Sequence, residues 1–101
     1  MAVLGFALPA SAATQEAIDA ASRFVALGRR CMAFSVPSRL ACFKAIEDES
    51  HALRMVVMDE ATRTGDSQTA EMAIKMIEAE NSILRYRRML MIESLEAGYR
   101  Y

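Results

Sequence analysis

The sequence predicts an all-α protein, a three-helix antiparallel bundle or long helical hairpin, and three observations support this. Apolar residues recur at three- and four-residue steps along almost the whole chain. No run alternates between apolar and polar residues for long enough to predict a β-strand. Pro37 and Gly65 divide the helical pattern into three segments.

The first helix is predicted over residues 14–34. Its apolar positions are Ala17, Ile18, Ala21, Phe24, Val25, Gly28, Cys31 and Met32. Val36-Pro37 is expected to end this helix, because proline disfavours helical backbone in the residue before it and has no N–H to donate. Ser38 is then expected to cap the next helix.

The second helix is predicted over residues 39–64. Phe43, Ile46, Leu53 and Val57 form its apolar line. Gly65 is a typical helix stop, and Asp66-Ser67 after it offers an N-cap for the third helix.

The third helix, predicted over residues 68–97, has the widest apolar face. One stripe consists of Met72, Met76, Ala79, Ile83, Tyr86 and Leu90, and a second of Ala73, Ile77, Leu84, Met91 and Leu95. This helix would be roughly 45 Å long and the first about 30 Å, so part of its apolar face is expected to lack cover in a monomer. A looser C-terminal turn, a dimer and a partner groove are all open outcomes.

Composition narrows the class of protein. A chain of 101 residues that is 53% hydrophobic predicts one folded domain, assigned to residues 13–101. Twelve basic and thirteen acidic residues leave a formal net charge of -1, which disfavours a nucleic-acid partner. No stretch reaches the ~20 uncharged apolar residues that a transmembrane segment needs.

Residues 1–12 suggest a secretory signal. An apolar stretch leads to Pro9 and then to Ala10-Ser11-Ala12, the small-x-small pattern of a signal-peptidase site. No Lys or Arg precedes Arg23, so the basic start of a signal is absent from this sequence. We expect a soluble, periplasmic or secreted chain that begins near Ala13, and the alternative is an uncleaved apolar tail.

Cys31 and Cys42 lie symmetrically about Ser35-Val36-Pro37-Ser38, as two helices meeting at a tight corner would place them. This spacing suggests a disulfide, which persists only in oxidising compartments. Two buried free thiols are the alternative. The spacing lacks the Cys-x2-Cys pattern of zinc and thioredoxin-type sites.

The cysteine segment resembles a short hairpin found near the N-termini of exported proteobacterial proteins, some of them associated with type VI secretion. The matching positions are Cys31, Arg39, Leu40, Cys42 and Phe43. Lys44 stands where that pattern has Asp. The resemblance implies export and a disulfide, and it implies no activity.

A metal site is the main alternative function. Eight methionines and a lone histidine make a copper site from His51, Met55 and Met58 conceivable, because thioethers suit Cu(I). The commoner role of methionine is to fill irregular space in a core. Asp48-x-x-His51 is only one of the two motifs that a di-iron bundle needs, so we expect a solvated acidic face there and no cofactor.

No serine, threonine or cysteine has a recognisable general base and orienting carboxylate around it in the sequence, and no glycine-rich phosphate loop is present. An enzyme is therefore not expected. Arginine and tyrosine are typical interface residues. The candidates for interaction are Arg85, Tyr86, Arg88, Met89 and Tyr99.

We therefore expect a small exported helical protein that binds another protein, or a second copy of itself, without catalysis. An accessory subunit, an inhibitor and an immunity-type protein all fit. The alternatives are periplasmic copper handling and a cytoplasmic helical regulator with an uncleaved N-terminus.

Overall fold

The computed structural model describes residues 13–99, of which 92% are helical and none is in a strand. The all-α prediction is confirmed. Four helices follow one another: α1 (Gln15–Ala33), α2 (Val36–Ala45), α3 (Glu47–Thr64) and α4 (Ser67–Tyr99). The candidate signal segment, residues 1–12, lies outside the described residues.

The prediction of three helices is wrong in its second element, because residues 39–64 contain the break between α2 and α3. Ile46 separates the two helices with φ -94° and ψ -1°. Its N–H donates to the Cys42 carbonyl at 3.1 Å, and its carbonyl accepts from the Ser50 N–H at 2.9 Å. The side chain of Ile46 is buried against the core, so packing accompanies a break that no glycine or proline marks.

The start of α2 also differs from the prediction. Pro37 lies inside the first turn of α2, and Ser35 rather than Ser38 occupies the N-cap position. The Ser38 N–H donates to the Ser35 carbonyl at 2.9 Å. Proline is well tolerated here because N–H groups in the first turn of a helix have no partner within the helix.

The end of α3 and the start of α4 follow the predicted signals, whereas the cap of α1 was not predicted. The Thr14 hydroxyl accepts from the Ala17 N–H at 3.2 Å and caps α1. Gly65 ends α3 with φ 69°, a left-handed conformation that favours glycine. Asp66 Oδ2 then accepts from the Thr69 N–H at 2.9 Å, which caps α4.

Two buried clusters form the core, and Leu53 of α3 packs against both. The lower cluster, at the first half of α1, joins α1, α3 and α4 through Ala17, Ala20, Phe24, Val57, Ala73 and Met76. The upper cluster consists of Leu27, Cys31, Phe43 and Ile46, with Ile83 and Tyr86 of α4 packed against it. The Phe43 and Tyr86 rings meet edge to face, with centroids 6.1 Å apart.

Cys31 and Cys42 form a disulfide that joins α1 to α2, with their Cα atoms 5.4 Å apart. Cys31 is fully buried in the upper cluster. The bridge closes a short loop that contains the whole turn between the two helices.

We predict that the Cys31→Ala/Cys42→Ala double variant loses about 3 kcal/mol of unfolding free energy, because loop closure no longer restricts the unfolded chain. Urea unfolding with and without reductant measures this. Reductant should destabilise the wild type by a similar amount and leave the double variant unchanged. Equal stability of wild type and variant under oxidising conditions would contradict the prediction.

A buried carboxylate links the first turn of α1 to α3. Glu60 is 3% exposed and accepts from the Thr14 N–H at 3.0 Å and from the Thr14 hydroxyl at 2.5 Å. The two Thr14 bonds, with a smaller contribution from Arg63, outweigh burial and lower the pKa of Glu60 below its ordinary value of 4.5. The ionised form is therefore favoured in the folded protein.

We predict that Glu60→Gln removes a pH-dependent part of the stability. A carboxyl whose pKa is lowered by folding stabilises the fold above its unfolded pKa, and this contribution is lost as the pH falls toward the folded pKa. The wild type should exceed the variant in stability at pH 7, and the difference should shrink below about pH 4.5. Denaturant unfolding across this range tests it, with exposed Glu78→Gln as control. A difference that is constant with pH would contradict the assignment.

Candidate protein-binding surfaces

A largely apolar groove of about 660 Å³ lies between α1 and α4, and we call it the α1/α4 groove. Residues of α1, α2 and α4 line it, and none of α3 does. The lining comprises Phe24, Val25, Gly28, Arg29, Met32, Ala33, Phe43, Ala79, Ser82, Ile83 and Tyr86. Helix α3 packs against both α1 and α4, which leaves this groove between the two outer helices.

The α1 wall of the groove follows from helical spacing. Val25, Gly28 and Met32 lie at steps of three and four residues, next to the buried line of Phe24, Leu27 and Cys31. Val25 is 47% and Met32 46% exposed. A Cβ atom added at Gly28 would meet nothing within 4 Å, so the missing side chain leaves this part of the groove open.

Tyr86 is fixed at the groove by α2. Its hydroxyl accepts from Arg39 Nη1 at 3.0 Å, while Arg39 Nε donates to the Phe34 carbonyl at 3.0 Å. The tyrosine ring packs on Phe43. An aromatic ring with its position set by a hydrogen bond and a ring contact suits the role of a rigid interface anchor.

The five predicted interaction residues do not form one surface. Tyr86 is half-buried and lines the α1/α4 groove, whereas Arg85, Arg88 and Met89 are exposed outside it. Tyr99 ends α4, and its side chain lies outside the described residues. The sequence did not predict Val25, Gly28 and Met32 as groove residues, because helical spacing alone groups them with the apolar stripe of the first helix.

Two of the three candidate copper ligands, His51 and Met58, contact an arginine. Arg54 Nη2 lies 3.1 Å from His51 Nδ1, and Arg54 Nη1 donates to Met58 Sδ at 2.6 Å. Arg54 also pairs with the Glu80 carboxylate, and His51 Nδ1 lies 3.5 Å from Glu80 Oε2. A guanidinium cation already contacts the side chains of His51 and Met58, and Met55 is 38% exposed, so this geometry gives the copper alternative no support.

A cleft of about 520 Å³ lies around His51, Arg54 and Glu80, and charged and apolar side chains of α2, α3 and α4 line it. The acidic start of α3 forms ion pairs with both neighbours: Glu47 meets Arg87 of α4 at 3.0 Å, and Glu49 meets Arg23 of α1 at 3.0 Å. No group of three or more His, Cys, Asp or Glu side chains within residues 13–99 is arranged to hold a metal ion.

In the part of the chain that the structure describes, no helix has the length and apolar character required to cross a membrane. Comparison with protein families, curated proteins and solved structures gives no match to the chain.

Proposed function

We propose that this chain is a small exported protein that acts, without catalysis, by binding an apolar helix of another protein in the α1/α4 groove. The observation that carries the proposal is the groove itself, with half-exposed Val25 and Met32 on one wall and the fixed ring of Tyr86 on the other. Amphipathic helices bind such grooves through apolar side chains spaced three or four residues apart.

The side chains that line the groove favour a protein as its ligand over a small polar molecule. Arg29 is the one charged residue among the lining side chains, and Ser82 is a further polar one. Exposed apolar surface of this kind is costly in water unless a partner covers it. Methionine at position 32 adds a flexible side chain that adapts to different partner shapes.

The disulfide supports export. A bridge between Cys31 and Cys42 suits the periplasm or the extracellular space and does not suit a reducing cytosol. The hairpin resemblance and the composition of residues 1–12 favour the same compartment. An accessory subunit of an envelope machine, an inhibitor or an immunity-type protein would each use a binding groove in this way.

The contacts of the histidine and of the two cysteines support a function without catalysis. The described contacts of His51 are with Arg54 and Glu80, and none is with a serine, threonine or cysteine. Both cysteines of the chain are bridged. Nucleophilic catalysis needs a nucleophile within hydrogen-bond reach of a base.

We predict that the protein recovered from its native host lacks residues 1–12 and has a mass two hydrogens below that of the dithiol form. Intact mass spectrometry measures this before and after reduction and alkylation. Full-length protein with two alkylatable thiols would contradict export and favour the cytoplasmic regulator.

We predict that a photoreactive amino acid at Val25 forms covalent adducts with a different protein in the native host, because a helix of that protein occupies the groove there. The same probe at exposed Thr62 of α3 should give none. Adding Gly28→Leu to the Val25 probe should abolish the adducts, since the new side chain fills open space on the groove wall. Mass spectrometry of the adducts identifies the partner.

The matched control is Ala52→Leu, which adds the same side chain at an exposed position of α3 outside the groove. Thermal unfolding should show that Gly28→Leu is as stable as the wild type or more so, because leucine is a better helix former than glycine. Adducts that persist with Gly28→Leu, or that contain only a second copy of this chain, would contradict the proposed function.

A further inference from the structure

The C-terminal half of α4 carries apolar residues that the other described helices leave exposed. In the second apolar stripe of this helix, Ala73 is 5% exposed, whereas Leu84 is 47%, Met91 48% and Leu95 60% exposed. Leu90 is buried, and residues 91–98 that follow it are exposed. The helix has 33 residues and is about 50 Å long, against about 28 Å for the 19 residues of α1.

The exposed residues form one continuous surface, which we call the α4 face. It consists of Leu84, Arg88, Met91, Ile92 and Leu95, which share one side of the helix at steps of three and four residues. Ile92 is 48% exposed. Apart from Arg88 this surface is apolar, and exposed apolar surface of this kind on a small protein marks an interaction site.

The charges beside the α4 face divide into a basic half and an acidic half. Arg88 lies within the α4 face and Arg85 on its flank, both before Leu90, and Glu96 lies on the same flank after Leu90. Arg85 bonds to the Ser82 hydroxyl at 3.2 Å, and within residues 13–99 no ion pair is formed by Arg88 or Glu96. Glu96 lies in the last turn of α4, where the helix dipole disfavours an acidic side chain.

This charge pattern is self-complementary in one orientation only. Arg85 and Glu96 are about three helical turns apart and therefore lie on the same flank of the α4 face. In an antiparallel two-fold pair the same flank of each helix meets in reverse order, as in antiparallel coiled coils. Arg85 of one copy then lies opposite Glu96 of the other, twice by symmetry. In a parallel pair these two residues would lie about 16 Å apart along the helix axis and could not meet.

We propose that a second copy of this chain covers the α4 face, and that the two α4 helices pack antiparallel about an axis between Leu90 and Met91. The same axis places Ile92 opposite Met89 of the other copy and buries Leu84, Met91 and Leu95. Each acidic C-terminal turn receives an arginine from the other copy, which offsets the unfavourable helix dipole. This surface lies beyond the α1/α4 groove and leaves the groove free for a different protein.

Sedimentation equilibrium of the full chain over a wide concentration range tests this proposal. The wild type should form a dimer, and Glu96→Arg should weaken dimerisation by at least about tenfold, because it places arginines opposite each other twice. The Arg85→Glu/Glu96→Arg double variant should regain the wild-type dissociation constant, since the charges are exchanged and the pairing is restored.

The matched control is Glu78→Arg, the same change on the same flank of α4 about five turns before Glu96 and outside the paired segment. It should leave the dissociation constant unchanged, as should Gly28→Leu in the groove. A wild type that is monomeric at every concentration would overturn the proposal. So would a dimer that Glu96→Arg does not weaken, or one that the double variant fails to restore, because association would then use another surface or orientation.

Discussion

The covalent bond between Cys31 and Cys42 holds α2 across the end of α1, and the upper part of the molecule depends on that position. Because α2 is held there, Phe43 lies against Leu27 and Tyr86. Arg39 of the same short helix bonds to the Tyr86 hydroxyl. The bridge therefore positions both the upper core and one end of the α1/α4 groove, although α2 has only ten residues and little buried surface of its own.

Polar residues of α3 join this helix to α1 and to α4. Glu49 reaches α1, Glu47 and Arg54 reach α4, and Glu60 holds the first turn of α1. Exposed ion pairs contribute roughly 0–1 kcal/mol each, so their main effect is on orientation. Arg54 also contacts His51 and Met58, two of the candidate copper ligands.

Unequal helix lengths create two separate apolar surfaces. Helix α3 covers α1 and α4 along the lower core, so the space between the outer helices stays open as the groove. Beyond Leu90, residues 91–98 of α4 are exposed, and the apolar stripe runs on to Leu95. The two surfaces differ in character: the groove is concave and bounded by a fixed tyrosine, whereas the α4 face is a helix stripe with charges of both signs beside it.

The sequence by itself determined the helical class and the helix ends at Gly65 and Asp66, and it predicted the cysteine pairing. These features depend on local signals: apolar spacing, the left-handed glycine at Gly65, the Asp66 cap and two cysteines close together in the chain. The break at Ile46, the arginine among the candidate copper ligands and the division of the α1 stripe between core and groove were decided by tertiary structure. Each depends on which neighbouring helix covers a residue, and helical spacing alone does not contain that information. Phe24 and Val25, one position apart in the same predicted stripe, are 5% and 47% exposed, because the core covers the first and leaves the second open.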